Sequence, residues 1–317
     1  MGDMMKNIKI IIPVYNEGEN LRVLYKKLKD VTFELDYYSF KILFVDDGSI
    51  DNSTSIISEL IKIDPTVSGL VLSRNFGKEL ALTAGIESAT DVDAVICIDS
   101  DLQHPPEYIP DFISKWEGGS DIVAGIRKTN DGSSFVKKTG SKLFYYLMKK
   151  LSDLDMPVNG TDYRLIDKSV LKVLCKFSER TRMFRGLTDW VGFKKAYVEF
   201  DSPARNGSSP TYSIKKLFGL AINSITSFSL LPLKISGYFG LFVMATSLLL
   251  LIYMAVTDFF NIQVFTAQGY FIVFNTLLVG ITLSSLGMIA LYIGHIHTEV
   301  VGRPLYIIKE HITSGSE

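Results

Sequence analysis

Two long stretches without a formal charge constrain this chain more than any other feature. Residues 235–256 and residues 270–296 contain no Asp, Glu, Lys or Arg. A bilayer core takes about 20 residues of helix, and helices buried in soluble proteins rarely run this long without charge. We therefore predict two transmembrane helices at about 235–256 and 270–296, with a pair of buried soluble helices as the alternative.

Basic residues predict the orientation of these two helices. The connection between them, residues 257–269, contains no Lys or Arg. The outer flanks carry Lys215, Lys216, Lys234, Arg303 and Lys309. By the positive-inside rule both termini then lie in the cytoplasm. We expect a multi-pass protein of the cell inner (plasma) membrane with a cytoplasmic N-terminal domain.

The pattern of charged and apolar residues divides the chain into four parts. Residues 1–212 mix charged and apolar segments, as a cytoplasmic domain does. Residues 213–231 repeat apolar side chains at helical spacing, which predicts an amphipathic juxtamembrane helix or, alternatively, an ordinary helix packed on the domain. Residues 232–298 hold the two transmembrane helices, and residues 299–317 form a cytoplasmic tail. The formal net charge of −1 gives no reason to expect a nucleic acid partner.

Apolar runs alternate with segments of helical periodicity in the first part of the chain. The pattern predicts strands at 8–15, 41–47, 69–73 and 93–101 and helices at 20–31, 53–63 and 79–89. Apolar strands separated by helices are typical of a parallel sheet covered on both faces, so the predicted fold class is α/β. Ligands of such sheets bind beyond the carboxyl ends of the strands.

Acidic residues stand at the ends of two of these strands. Asp46 and Asp47 end the second strand, and Asp99 and Asp101 end the fourth. In an extended segment residues i and i+2 point the same way, so Asp99 and Asp101 should converge. Neighbouring carboxylates repel unless a cation lies between them, and oxygen ligands suit Mg²⁺ or Mn²⁺. We predict a divalent metal site here, with Gln103 as a further oxygen donor.

A series of motifs resembles the family 2 glycosyltransferases with the A-type fold. In chain order they are IIPVYNE, VDDGSIDNS, SRNFGKE, DSDLQHPPE, VAGIR and DYRLIDKSV. The segments ERTRMFRGLTDWVGF and SITSFSLLPLKI, followed by the two apolar stretches, are similar to bactoprenol (undecaprenyl-phosphate) glucosyltransferases, relatives of dolichyl-phosphate mannose synthase. The resemblance covers nearly the whole chain. It implies a Rossmann-like, mostly parallel sheet followed by an amphipathic interfacial helix and two transmembrane helices.

The resemblance implies roles for residues on the donor side. The nucleoside of a sugar nucleotide would be held by Pro13, Tyr15, Glu17, Val45 and Asp47. The metal would be bound by Asp99, Asp101 and Gln103, with Ser100 and Asp101 near the diphosphate. Donor or acceptor phosphate would be contacted by Arg127, Lys137, Arg185 and Arg205.

Two positions leave alternatives open. Pro210 stands where related sequences commonly carry a basic residue, so Lys215 or Lys216 is an alternative to Arg205. Asp162 is the candidate catalytic acid beside the acceptor. It either orients or deprotonates the acceptor phosphate, or only pairs with Arg164.

The implied reaction is inverting, metal-dependent transfer of a hexose, with glucose from UDP-glucose favoured, to undecaprenyl or another polyprenyl phosphate at the cytoplasmic membrane face. The expected partners are a UDP-hexose, the polyprenyl phosphate lipid, the bilayer and further copies of the chain in a homo-oligomer. One alternative is a processive polysaccharide synthase or other membrane sugar transferase, although no Q-x-x-R-W segment occurs. Another is a non-catalytic membrane scaffold that binds sugar nucleotides.

Overall fold

The computed structural model describes residues 5–89, 91–128, 157, 159–177, 179, 182–202, 260 and 267–315. The chain divides into two compact units, Met1–Tyr212 with Arg303–Glu317, and Ser213–Gly302. Some predictions lie outside the described residues: the phosphate contacts Lys137 and Arg205, the amphipathic helix 213–231 and the first transmembrane helix 235–256.

The larger unit is built on a sheet in which eight strands are described. They are β1 (Lys6–Val14), β2 (Tyr38–Asp46), β3 (Val67–Leu72), β4 (Ala94–Cys97), β5 (Ile122–Arg127), β6 (Gly160–Asp167), β7 (Lys195–Phe200) and β8 (Ile308–Ile312). Their order across the sheet is β7-β5-β6-β4-β1-β2-β3-β8. β6 and β8 run antiparallel to their neighbours, and the other pairings are parallel. The α/β fold with a mostly parallel sheet is therefore confirmed.

Helices cover both faces of this sheet. Those described in the larger unit are α1 (Gly18–Phe33), α2 (Ser53–Ile63), α3 (Lys78–Glu87), α4 (Ile109–Glu117), α5 (Lys168–Leu174) and α6 (Phe184–Trp190). In α1, Leu21, Leu24 and Leu28 recur at helical spacing and are fully buried. They join the core cluster under β1, whose Ile10 and Ile12 point to the same side at strand spacing.

The strand order produces a switch point beside β1. The chain moves from β1 outward to β2 and β3 and then returns to place β4 on the other side of β1. Connections that leave in opposite directions open a crevice at the carboxyl ends of these two strands. The crevice lies where Tyr15 follows β1 and Asp99 follows β4.

β6 contributes its first residues to the same edge of the sheet because it runs antiparallel to β4. Cys97 on β4 is paired with Arg164 on β6. Asp99 lies two residues after Cys97, and Asp162 lies two residues before Arg164. Because the two strands are antiparallel, Asp99 and Asp162 are therefore neighbours. Arg127 ends β5, which is also antiparallel to β6, and it reaches this edge as well.

The C-terminal tail returns to the sheet of the larger unit. β8 pairs antiparallel with β3, and the Ser73 amide donates to the Ile307 carbonyl at 2.9 Å. The Tyr306 hydroxyl also donates to Glu87 Oε2 at 2.6 Å. The sequence pattern predicted only a cytoplasmic tail over 299–317, so this eighth strand was missed.

The second unit contains the helix α7 (Ala267–Val300), which has 34 residues. The second predicted transmembrane helix, 270–296, falls within the residues of α7. Judged on the residues that the structure describes, no helix combines the length and apolar content needed to cross a bilayer.

One strand boundary corrects the sequence prediction. β4 ends at Cys97 rather than at residue 101, and residues 100 and 101 lie in a turn followed by Leu102 with a φ of 62°. Asp99 and Asp101 are therefore not alternate residues of one extended segment. The premise that they converge through strand geometry was wrong, and the turn chemistry of the loop decides where each carboxylate points.

Candidate active site

The ends of β1 and β2 form one side of the crevice. Pro13 and Val45 lie inside paired strands, and Val45 is fully buried, whereas Tyr15 is 44% exposed. Asn16 adopts a φ of 54°, and its side-chain oxygen accepts from the Ile50 amide at 2.9 Å. Glu17 follows and accepts from the Asn20 side chain at 2.6 Å. Of the predicted nucleoside residues described so far, Tyr15 is the one most open to a ligand.

Both side-chain oxygens of Asp47 form hydrogen bonds to the neighbouring loop. Its two oxygens accept from the amides of Phe76 and Gly77 at 2.7 and 2.8 Å. Burial raises the pKa of Asp47 above its usual value, and the two hydrogen bonds oppose that shift. Gly48 is required beside it, because its φ is 69° and a Cβ would lie 2.4 Å from the Arg74 backbone. Asp47 therefore fixes the loop that leads from β3 into α3.

The acidic loop after β4 is held by its own residues. Asp101 Oδ1 accepts from the Gln103 amide at 3.1 Å. Ser100 is buried, and His104 Nδ1 accepts from the Asp99 amide at 3.1 Å. Burial lowers the pKa of His104, so the imidazole remains neutral with its proton on the other nitrogen. The loop therefore has a defined conformation in which Asp99 and Asp101 are held by different partners.

Arg127 reaches this loop from the end of β5. Its Nη2 donates to Gln103 Oε1 at 3.0 Å, which orients the amide of that side chain. Its Nε is buried and has no hydrogen-bond partner among the described residues. A buried N–H without an acceptor costs about 1–3 kcal/mol, and an anionic ligand would remove that cost. Arg127 therefore places a cationic side chain with a buried, unsatisfied N–H next to the predicted metal ligands.

Asp162 is the most strongly held acid of the site. Its Oδ1 accepts from Arg185 Nε at 2.6 Å, and its Oδ2 accepts from Lys78 Nζ at 2.6 Å. Burial would raise the pKa of Asp162, but Lys78 and Arg185 outweigh it and hold the pKa well below the usual value. The carboxylate is thus ionised at neutral pH. Its position, 3% exposed at the start of β6, was predicted only as near the acceptor.

Of the two alternatives left open for Asp162, the one in which it only pairs with Arg164 does not match the structure. Arg164 is fully buried and forms an ion pair with Asp189 on α6, with nitrogen-to-oxygen distances of 3.3 and 3.4 Å. Residues i and i+2 of a strand point to the same face of the sheet, so sequence spacing could not exclude the pair. The actual partner, Arg185, lies on α6 one turn before Asp189, and the buried pair fixes that helix against β6.

Lys78 and Glu79 were missed by the sequence analysis. Lys78 Nζ contacts both oxygens of Asp99, at 2.7 and 2.8 Å, as well as Asp162. Glu79 accepts from the Phe184 amide at 2.8 Å. Burial, with a further contribution from Asp162, raises the pKa of Glu79 to about 7. The motif SRNFGKE was noticed, but a lysine and a glutamate opening a helix are common on exposed surfaces.

The contacts described above limit which side chains can bind a divalent cation. Within the described ranges, no group of three or more His, Cys, Asp and Glu side chains is arranged to hold a metal ion. The predicted set, Asp99, Asp101 and Gln103, contains two carboxylates and an amide oxygen on one loop, which is the oxygen chemistry that Mg²⁺ and Mn²⁺ prefer. The set fits such a cation if the substrate supplies further oxygens, and Arg127 provides an adjoining anion contact.

A cluster of acids and bases at the carboxyl ends of the strands is where enzymes built on mostly parallel sheets bind their ligands. Residues 9–175 match the profile described as Glycosyl transferase family 2. The chain belongs to that family, and it is a glycosyltransferase.

Particular relatives extend the similarity beyond this segment. The chain is 38% identical over 301 residues to the uncharacterized glycosyltransferase YkcC of Bacillus subtilis (strain 168), covering 95% of this chain and 93% of the relative. It is 39% identical over 306 residues to the SfII prophage-derived bactoprenol glucosyl transferase of Shigella flexneri, covering 96% and 97%. A solved structure of S. aureus TarS with UDP-GlcNAc is similar with a TM-score of 0.48 at 17% identity, covering 69% of this chain and 65% of TarS.

Proposed function

We propose that the protein transfers glucose from UDP-glucose to undecaprenyl or another polyprenyl phosphate, with inversion at the anomeric carbon. Similarity to a bactoprenol glucosyl transferase over 96% of this chain supports the acceptor and the sugar. The site assignment rests on one observation: oxygen ligands for a cation and a basic side chain for a phosphate lie side by side at one edge of the sheet. The loop 99–103 offers oxygens to a cation, and Arg127 beside it brings a positive charge and a buried, unsatisfied N–H that suit a phosphate.

The acceptor chemistry explains why this site needs positive charge more than a strong base. A phosphate monoester is largely ionised at neutral pH, since its second pKa is about 6. Its oxygen attacks the anomeric carbon directly, and the bonding pair of the broken C–O bond leaves with the diphosphate of the nucleotide. Two anions must therefore approach each other, and cationic side chains reduce their repulsion. When bound, Mg²⁺ or Mn²⁺ supplies charge neutralisation at the diphosphate.

Arg185, Lys78 and Asp162 form the part of the site assigned to the acceptor. Arg185 is 36% exposed and Lys78 is 40% exposed, so both cations reach the cleft while Asp162 stays buried beneath them. Asp162 is already ionised and paired twice, so its role is to hold these two cations in place. We therefore favour Asp162 as the residue that orients the acceptor contacts over Asp162 as a proton acceptor.

The proposal places the reaction at the cytoplasmic membrane face. The larger unit includes both Met1–Tyr212 and Arg303–Glu317, so the chain leaves this unit and later returns to it. A segment that starts and ends on one side of a bilayer must cross it an even number of times. Two crossings in 213–302, with the basic flanks inside, satisfy this condition. A polyprenyl phosphate at that surface then lies within reach of the catalytic unit.

The test uses the purified full chain with undecaprenyl phosphate and a panel of UDP- and GDP-hexoses, with Mg²⁺, Mn²⁺ or a chelator. We expect one lipid-linked hexose from UDP-glucose, no product with chelator, and at least a hundredfold loss in Asp101→Asn, a size typical for removal of a group that stabilises transition-state charge. The matched control is Asp91→Asn, because Asp91 is 66% exposed and pairs with Lys9.

Three outcomes would contradict the proposal. Polymer longer than one sugar would indicate a processive synthase. Binding of UDP-glucose without transfer to any lipid would indicate a scaffold. Full activity of Asp101→Asn in the presence of chelator would remove the cation from the reaction.

A further inference from the structure

Lys78 stands between two of the site acids, and its contact with Asp99 is not explained by its place beside the acceptor. Its Nζ lies 2.7 Å from Asp99 Oδ1, 2.8 Å from Asp99 Oδ2 and 2.6 Å from Asp162 Oδ2. An ammonium group has three N–H donors, and these three acceptors account for all of them. The side chain is nevertheless 40% exposed, so the bridge lies at the open side of the site.

The contacts to Asp99 involve the same oxygens that a divalent cation needs. Lys78 engages both carboxylate oxygens, so a cation that binds Asp99 either shares this carboxylate with an ammonium group or displaces it. An ammonium and a divalent cation on one carboxylate also repel each other at a separation of a few ångströms, where the partly shielded site weakens screening. Lys78 and the cation are therefore competitors for Asp99.

The contact to Asp162 makes this exchange possible without an unpaired buried charge. Asp162 is 3% exposed and keeps its ion pair with Arg185 whether or not Lys78 holds Asp99. A lysine has a flexible four-carbon stem, so Nζ can turn away from Asp99 while it remains on Asp162. The released N–H groups then face the exposed side, where a phosphate can accept them.

We propose that Lys78 competes with the divalent cation for Asp99, so that the cation binds tightly only when a nucleoside diphosphate adds its own oxygen ligands. This inference rests on the proposed function, because it takes Asp99, Asp101 and Gln103 as the cation ligands. It gives the order of events a physical basis. The cation and the donor bind together, and the displaced ammonium of Lys78 then becomes an acceptor-phosphate contact.

The test measures Mn²⁺ binding to the purified full chain by the electron paramagnetic resonance signal of free Mn²⁺, with and without UDP. We expect Lys78→Met to bind Mn²⁺ alone about tenfold more tightly than the unaltered chain, because a competing positive charge has been removed. UDP should strengthen Mn²⁺ binding strongly in the unaltered chain and only slightly in Lys78→Met. Lys78→Arg, which keeps the charge, should behave like the unaltered chain.

Lys29→Met is the matched control. Lys29 is 42% exposed and pairs with Asp64 at 3.0 Å, so it resembles Lys78 in exposure and pairing but lies outside the site. Its replacement should leave Mn²⁺ binding unchanged. A Lys78→Gln variant provides a second neutral side chain in case Lys78→Met is poorly folded, with folding checked by thermal unfolding.

The possible failures are distinguishable. If UDP-dependent Mn²⁺ binding occurs in the unaltered chain but is the same in Lys78→Met and Lys78→Gln, Lys78 does not compete and the inference is wrong. If no variant binds Mn²⁺ even with UDP, the cation assignment of the proposed function is wrong, and the inference falls with it.

Discussion

His104 holds the acidic loop through one hydrogen bond. It is 2% exposed, its ring stacks on Tyr163 with 5.3 Å between centroids, and its Nδ1 accepts from the Asp99 amide. Packing on Tyr163 fixes the ring, and the ring in turn fixes the backbone at Asp99. His104 is thus a positioning residue that touches neither substrate nor cation in the proposed reaction.

We predict that His104→Ala lowers kcat/KM about tenfold, because a lost acceptor for a buried amide costs about 1–3 kcal/mol and loosens the loop. His104→Asn should retain activity within about threefold, since its side-chain oxygen can replace Nδ1 as the acceptor. Steady-state kinetics and the thermal unfolding midpoint of both variants check this. Equal decreases of kcat/KM in the two variants would show that packing of the ring, rather than the hydrogen bond, supports activity.

Glu79 is a second residue whose surroundings determine its charge. Its pKa is raised to about 7 by burial and by Asp162, from a usual value of 4.5. Between these two pH values the folded chain keeps a proton that the unfolded chain has lost. The free energy of unfolding contributed by Glu79 is therefore greatest below pH 4.5 and falls as the pH rises towards 7.

We predict that the free energy of unfolding of Glu79→Gln depends less on pH between 4.5 and 7 than that of the unaltered chain. The amide oxygen of Gln can still accept from the Phe184 amide, and the variant carries no charge to repel Asp162. Thermal unfolding midpoints at pH 5 and pH 8 should differ less in the variant than in the unaltered chain, and at pH 8 the variant should be the more stable of the two. An unchanged difference between the two pH values would contradict the assigned pKa.

At the scale of elements, α3 is the helix that connects the parts of the site. Lys78 and Glu79 open the helix, and Glu87 closes it with contacts to Tyr306 and Arg182. The helix lies close to β1 because Gly85 faces the strand. A Cβ at Gly85 would lie 2.4 Å from Ile11 Cγ2, so only glycine permits this approach.

We predict that Gly85→Ala destabilises the protein by about 1–3 kcal/mol, as overpacking of a tight interface does. Because the helix must move away from β1, Lys78 would shift too, and activity should fall along with stability. Gly315→Ala is the control, since a Cβ there would meet no heavy atom within 4 Å. Chemical unfolding and transfer assays on both variants test the prediction, and equal behaviour would contradict it.

At the scale of the whole molecule, the catalytic unit is discontinuous in sequence. The tail contributes β8 to the sheet after the second unit has been completed, and the Ser73 amide bonds to Ile307 where β3 enters the loop fixed by Asp47. Segments that pair in one sheet lie in one compartment. The tail therefore limits the routes that residues 213–302 can take.

We predict that both termini lie in the cytoplasm. Green fluorescent protein fused to either end should fluoresce, and alkaline phosphatase fused to either end should be inactive, because the first folds well only inside the cell and the second only outside. A phosphatase fused within residues 257–269, which carry no Lys or Arg, should be active. Phosphatase activity at one terminus only would mean an odd number of crossings and would contradict the shared sheet.

The sequence by itself determined the parts of this protein that depend on local order. Strand and helix periods predicted β1, β2, β3 and the helices between them, and the acids after β2 and β4 marked the edge of the sheet. These signals are local because side-chain alternation and strand exits are properties of neighbouring residues. Local signals could not predict the end of β4 or the turn at Leu102, because both depend on contacts with the rest of the loop.

Tertiary structure alone decided which charged groups meet. Lys78 follows β3, Asp99 follows β4, Asp162 opens β6 and Arg185 lies on α6, and only the strand order and the antiparallel pairing of β6 bring them together. The pairing of β8 with β3 could not be predicted from the sequence either. The five residues of β8 are exposed or partly exposed, so they show no alternation of apolar and polar side chains that would indicate a strand or its partner. Hydrogen bonding between distant strands fixes both arrangements, and no stretch of neighbouring residues encodes it.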